Sequence, residues 1–259
     1  MKSKLTKFAL AAIFGLALTF TFSCSSGGGS GGGGGNFEYG SLPYKGKNYK
    51  TIEIGNQTWM AENLNYNVKG TKCYGEGGKA SVYDAKTGKL TFVTLSSAEI
   101  QANCTKYGRL YTWAAAMDID VKYNEEEWGD SDLKHQGICP NGWHIPSKAE
   151  WDELINYVES ENGCSDCAGE HLMAKNGWWD GGHGGLDTYG FSALPGSGGD
   201  VKSDDQDGYY FGPAGFEGYW WSSLEGGKLS AYLMHIFSHE NVYMDRKDFL
   251  YSVRCLKDD

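Results

Sequence analysis

No stretch of this 259-residue chain is apolar for long enough to cross a bilayer as a helix. The charge-free run from Phe8 to Phe22 falls short of the roughly 20 residues such a span needs. Basic residues are scarce as well, since 23 Lys and Arg face 33 Asp and Glu for a net charge of −10. An acidic balance of this size argues against nucleic acid and against anionic lipid surfaces. No repeated period and no second glycine-rich linker divide the chain after residue 36, so residues 36–259 read as one domain. Catalytic groupings are missing too. His183 with Asp187 is the nearest approach to one, but no nucleophile, base and orienting group stand at a recognisable spacing, and the chain reads as non-enzymatic.

What the chain does have begins at its N-terminus. Lys2, Lys4 and Lys7 precede the apolar run, and Ser23 stands directly before Cys24. This is the layout of a bacterial lipoprotein signal: residues 1–23 are cut away and the Cys24 sulfur is acylated, holding the protein to a membrane by its lipid. Ser25 and Ser26 follow with no Asp beside the cysteine, which by resemblance to other such lipoproteins favours the outer membrane over the inner one and leaves exposure at the cell surface open. Residues 25–35 are only Ser and Gly, a flexible tether that with Cys24 has a root-mean-square reach of roughly 20 Å. With the three signal lysines set aside, 20 basic residues face 33 acidic ones, a balance of −13. A neutral ligand, a cation or another protein suits that surface.

Six cysteines remain after Cys24, and an even count outside the cytoplasm predicts three disulfides with several connectivities open. The expected set is Cys73–Cys104, Cys139–Cys255 and Cys164–Cys167. The long bridge matters most, because in the chain-entropy model closing a loop of about a hundred residues contributes about 4–5 kcal/mol. Zinc on Cys164, Cys167 and His171 is the alternative for the last pair, although no fourth ligand is evident.

The folded part opens with a β-hairpin, in which Tyr49 to Ile54 and Gln57 to Met60 flank the turn Gly55-Asn56. Ser96 and Glu99 stand at capping-box spacing for a helix to about Cys104, and Thr112 to Met117 suits a second. The run Asp118 to Asp132, with Glu125, Glu126 and Glu127, reads as a solvated loop, a cation site being the alternative. The clearest helix follows Pro146: Ser147 and Glu150 form a capping box, and Trp151, Leu154, Ile155 and Val158 recur on one face until Gly163. A brief helix or strand is expected at His171 to Ala174. Gly181 to Gly218 is poor in pattern, with a strand only at Tyr189 to Leu194, and a loop of that length is usually functional or disordered. Four strands then form an antiparallel meander: Tyr219–Ser223, Leu229–Phe237, Val242–Arg246 and Leu250–Leu256. The last carries Tyr251, Val253 and Cys255 on one face.

The strings CPNGWHIPSKAEW (139–151), YGFSALPG (189–196), GYWWSS (218–223) and SVRCLKD (252–258) resemble the Fibrobacter succinogenes major paralogous domain, as do QTWMAENLNY (57–66) and YGRLYTWAAAM (107–117). Lys79 to Ala98 stands outside the pattern as an insertion. The resemblance implies an envelope lipoprotein. Its Trp-x-Ile-Pro-Ser-x-x-Glu-Trp element is similar to that of C-type lectin-like domains and formylglycine-generating oxidases. The implied fold class is α+β and C-type lectin-like, a small twisted antiparallel sheet flanked by two helices with a long irregular loop region. The lectin calcium motifs and the oxidase's paired C-terminal cysteines are absent.

Aromatic residues make up 14% of the chain, with nine tryptophans. Trp113, Trp143 and Trp151 are expected in the core, as is at least one of Trp220 and Trp221, and His144 and His235 read as core or strand residues. Trp178, Trp179, Tyr209, Tyr210 and Phe211 flank or occupy the glycine-rich loop and are the candidate ligand-binding residues. Rings beside Asp and Asn side chains can stack on sugar faces while the polar groups bind hydroxyls. Asp204, Asp205 and Asp207 form an acidic turn that could take calcium, against a solvated turn with no ion; no other cofactor is expected. The expected function is noncatalytic binding of polysaccharide or of an envelope protein, with a purely structural envelope role as the alternative. Replacing Cys24 with Ser should leave a soluble or uncleaved product in cell fractionation; an unchanged membrane fraction would exclude the lipid anchor.

Overall fold

The computed structural model describes residues 37–129, 134–179, 184–201, 208–237 and 239–259. Cys24, the signal and the tether lie outside the described residues, as do His183, Asp204, Asp205 and Asp207. The first hairpin joins β2 (Lys47–Ile54) to β3 (Gln57–Met60) through Gly55-Asn56, and β1 (Gly40–Tyr44) adds to its outer edge. After the short β4 (Thr71–Lys72) come β5 (Gly78–Asp84) and β6 (Lys89–Val93), an antiparallel hairpin. Helix α1 (Ser97–Tyr107) starts at the predicted capping box, with Glu99 N–H on the Ser96 hydroxyl and the Glu99 carboxylate on the Ser96 N–H. Next are β7 (Leu110–Tyr111), paired with β4, and α2 (Trp113–Ala116).

The motif segment supplies β8 (Trp143–His144) and α3 (Lys148–Asn162), which Ser147 and Glu150 cap and Gly163 ends in the left-handed conformation. The apolar face of α3 is buried as its spacing predicts: Trp151, Leu154 and Val158 pack with Trp59, Phe191, Trp220, Met234 and Ile236. The Trp59 and Trp151 rings lie 4.5 Å apart. Helix α4 (Ala168–Leu172) begins earlier than expected, because the buried Glu240 carboxylate accepts the Ala168 and Gly169 N–H groups. Six further strands complete the chain: β9 (Gly199–Val201), β10 (Tyr209–Phe211), β11 (Gly218–Glu225), β12 (Ser230–Ile236), β13 (Glu240–Arg246) and β14 (Leu256–Lys257). The fold is mixed α+β and mostly antiparallel sheet. It is not one small sheet, since the strands form four, ordered β1-β2-β3-β14-β8, β6-β5-β10-β9, β11-β12-β13 and β4-β7.

Three expectations are corrected. Tyr189 to Leu194 is not a strand: its backbone turns around the buried Arg254, which donates to the Phe191 and Ser192 carbonyls, while Asp187 holds the Ser192 N–H and hydroxyl. Strands β9 and β10 lie in the region read as loop. The C-terminal meander has three strands rather than four, because the chain after Arg246 leaves that sheet and ends as β14 between β3 and β8. There Tyr251, Val253 and Cys255 enter one core cluster with Trp113, Tyr111 and Trp221, and both Trp220 and Trp221 are buried.

Disulfides join Cys73 to Cys104, Cys139 to Cys255 and Cys164 to Cys167. The second ties the segment before β8 to the one before β14. Beside it lies a polar clamp on β8 and α3. His144 is buried, with Nε2 3.0 Å from Glu150 and Nδ1 2.6 Å from Asp258. The other Glu150 oxygen accepts the Ser147 N–H, and the Asp258 N–H donates to the Gly142 carbonyl. A second clamp buries the Lys247 ammonium against Glu225, whose carboxylate also accepts the Trp128 and Gly129 N–H groups. Lys247 further donates to the Glu126 carbonyl, so it holds the acidic run while Glu125, Glu126 and Glu127 stay exposed.

The His144 clamp sets a pH window. Burial pulls the imidazole pKa down, but the hydrogen bonds to Glu150 and Asp258 outweigh it and raise it above the ordinary 6.5. That contribution is complete below about pH 6.5 and is lost as pH rises through the higher folded value. Burial pushes the Glu150 carboxyl up, yet its bonds from His144 and Ser147 bring it below the ordinary 4.5; its contribution is present above about pH 4.5 and is lost as pH falls through the folded value. Urea unfolding should therefore show a larger drop in stability from pH 5.5 to 8.5 in the native chain than in His144→Gln. Equal drops would remove His144 from the pH dependence.

Candidate binding clefts beside the β5–β6 hairpin

The β5–β6 hairpin borders two clefts. Its base is set by a parallel pairing of β5 with β10, in which Gly78 faces Tyr209 so closely that a Cβ would lie 2.0 Å from the Tyr209 carbonyl oxygen. Tyr74, Ala80, Phe211 and Leu250 form a small core beneath it.

The first cleft, about 590 Å³, lies among Leu90 and Phe92 of β6, Tyr210 of β10, Asp200 of β9, and Glu217 with Tyr219 at the start of β11. That volume is in the range of small-ligand sites. Phe92 is 57% exposed and Leu90 54% exposed, unusual for apolar side chains of that size. Phe92 meets the Tyr210 ring edge to face at 5.2 Å. The Tyr219 ring, also in the lining, stacks on His235 at 4.6 Å and on Tyr251 at 4.7 Å, and its hydroxyl donates to Glu217. Burial, and then the Glu217 carboxylate, raise the Tyr219 pKa, which keeps the phenol protonated.

Asp200 contributes an unusual atom. One carboxylate oxygen, Oδ1, is buried with no hydrogen-bond partner among the described residues. Burial raises its carboxyl pKa, with a hydrogen bond from its own backbone N–H and then the Arg246 charge pulling the other way. An acceptor withdrawn from water and left without a donor is costly, and a ligand hydroxyl would relieve it. The described residues lining this cleft include two carboxylates, two serine hydroxyls and no Lys or Arg. Such a lining suits a neutral ligand rich in hydroxyl donors.

The second cleft, about 480 Å³, lies on the α1 side of the hairpin. Its floor is an aromatic trio in which Trp179 stacks on Phe216 at 5.1 Å and Tyr83 meets both rings edge on, at 5.5 and 5.2 Å. Glu99, Asn103 and Lys106 of α1 face it.

The five aromatic candidates therefore separate. Tyr210 lines the first cleft and Trp179 the second. Phe211 touches the first cleft but is buried in the core, so it supports the site rather than presenting a ring. Trp178 is half-buried and donates its indole N–H to the Ala193 carbonyl, and Tyr209 packs against the same core as Phe211. Phe92, Leu90, Tyr83, Phe216, Asp200 and Glu217 were not singled out from sequence, although the exposed alternation of Lys89-Leu90-Thr91-Phe92 carried a signal. Cys164, Cys167 and His171 do converge, with ligand atoms within 4.8 Å of one another. Because the two sulfurs are joined, they cannot act as thiolates, and His171 Nδ1 bonds the Thr188 hydroxyl.

A family model described as the Fibrobacter succinogenes major domain matches residues 52–257. The chain belongs to that family. No curated protein and no solved structure matches it. Within this Fibrobacter succinogenes major domain the motif residues build the frame: Trp143, Ile145 and Trp151 are core, His144 and Glu150 form the clamp, and Cys139 holds Cys255. The clefts instead draw on the hairpin and on the long segment before β11.

The burial difference among the aromatics is measurable. Phe211→Ala should cost about 3–5 kcal/mol in urea unfolding, whereas Trp179→Ala should cost under about 1 kcal/mol. Similar losses in the two variants would contradict the division between supporting and presented rings.

Proposed function

We propose that this chain is a lipid-anchored protein of the bacterial envelope, held by Cys24 and exposed from the outer membrane, whose domain binds polysaccharide without catalysis. On this reading the domain is C-type lectin-like, with α1 and α3 as its two flanking helices and the segment before β11 as its ligand-bearing loop. The observation that carries it is the lining of the first cleft, where the Phe92 and Tyr210 rings stand with Asp200, the cross-strand neighbour of Tyr210, and with Glu217, and where no Lys or Arg is among the described lining residues. Aromatic rings stack on the apolar faces of pyranose rings. Carboxylates accept hydroxyl donors, which water exclusion strengthens.

A protein partner would use the same rings, but the unpartnered Asp200 oxygen favours a ligand made of donors. The test is retention of the detergent-solubilised full chain on insoluble xylan and cellulose, and on a neutral glycan array. Phe92→Ala plus Tyr210→Ala should lower retention at least about tenfold with the far-ultraviolet circular dichroism unchanged. Absence of retention on every neutral glycan, with cross-linking only to envelope proteins, would overturn the reading in favour of a structural role.

A further inference from the structure

A different pocket has the opposite chemistry. It is the most recessed of the clefts described, about 180 Å³, and lies between β2, the end of α1 and the Phe191–Leu194 turn. At its base is Arg254, fully buried. The guanidinium bonds only neutral oxygens: Nε and Nη2 reach Asn63 Oδ1 at 3.2 and 2.9 Å, and the remaining contacts are the Phe191 and Ser192 carbonyls. Among the described residues no carboxylate lies within 4 Å of it. Burial accordingly pulls its pKa down to about 9, with Asp187 the main opposing charge. A buried cation without an anion is held at a cost that an entering anion would offset.

The mouth adds to this charge. Lys50 and Lys106 line the pocket, and among the described residues neither pairs with a carboxylate within 4 Å: Lys50 lies over the Tyr39 ring at 4.9 Å, and Lys106 donates to the Tyr107 hydroxyl at 2.8 Å. Lys47 is already paired with Glu62 at 3.3 Å. Arg254, Lys50 and Lys106 thus line one pocket in which Glu62, within 4 Å of Lys47 rather than of these three, is the single carboxylate among the described lining residues, in a protein whose net charge is −10. The rest of the lining is not that of a phosphate site. The Glu62 carboxylate repels a dianion, whereas Thr105, Ser192 and the Tyr39 ring offer hydroxyl partners and an apolar face.

We propose that this niche binds a single carboxylate-bearing sugar, the size of one uronic acid residue, with its carboxylate directed toward Arg254, Lys50 and Lys106. The site is separate from the neutral-sugar cleft and does not depend on that reading. Lys106 also borders the second aromatic cleft, so a chain carrying an acidic sugar could occupy both.

Isothermal titration of the detergent-solubilised full chain with sodium glucuronate at low salt is the test, with glucose and inorganic phosphate as comparison probes. Glucuronate should bind saturably, and Lys50→Ala plus Lys106→Ala, two exposed positions, should weaken it about tenfold with unchanged circular dichroism. Phe92→Ala plus Tyr210→Ala should leave it intact, which separates this site from the neutral cleft. The proposal fails if glucuronate gives no saturable heat, if glucose binds as well, if phosphate alone binds, or if the double lysine variant binds like the native chain.

Discussion

The last short strand, β14, sits in the interior of the five-stranded sheet, between the N-terminal hairpin and β8, and the rest of the fold depends on its seating. A strand of two residues cannot hold such a place by ladder bonds alone. Cys255, immediately before it, is joined to Cys139, and Asp258, immediately after it, is held by His144 and by the Gly142 carbonyl. Residues on both sides of β14 are thus tied to the same motif turn that starts α3. This one arrangement brings the two ends of the folded part together, closes the Trp59–Trp151 core and delivers Arg254 to the centre of the molecule.

Among the described residues, the buried charges of Lys247, Glu240 and His144 are each met by the backbone or by a partner. Lys247 has Glu225 and two carbonyls, Glu240 has the N-terminus of α4, and His144 has two carboxylates. Burying any of these singly would be costly, so each also fixes the position of a neighbouring segment. Arg254 differs because its partners are neutral, and Asp200 differs because one of its oxygens has no partner. Both border clefts. Trp151 Nε1 and His235 Nε2 are also buried without a partner among the described residues, so what sets Arg254 and Asp200 apart is their place in the lining of a cleft.

The two cleft chemistries suit two parts of one kind of ligand. Beside the hairpin the lining is rings and acceptors, and at Arg254 it is cations around a small recess. A polysaccharide with neutral residues and acidic branches presents both surfaces.

Helices α1 and α3 were legible because a capping box and an apolar stripe are local patterns that carry their own hydrogen bonds. The first hairpin was legible for the same reason, as was the burial of Trp113, Trp143 and Trp151. The long segment was not. Strands β9 and β10 have only three residues each, and β10 pairs with β5 more than a hundred residues away. Tyr189 to Leu194 alternates as a strand does, yet its carbonyls answer to Arg254, far along the chain. Phe211 and Tyr210 are neighbours of the same type, and only the pairing of β10 decides which is core and which faces a cleft. By itself the amino-acid sequence determined the local elements, the acidic balance, the family and the expectation of a lipid anchor. The tertiary structure decided which aromatics are presented, which cations share a pocket and which strand the chain ends on, because each depends on contacts between segments whose separation no local pattern encodes.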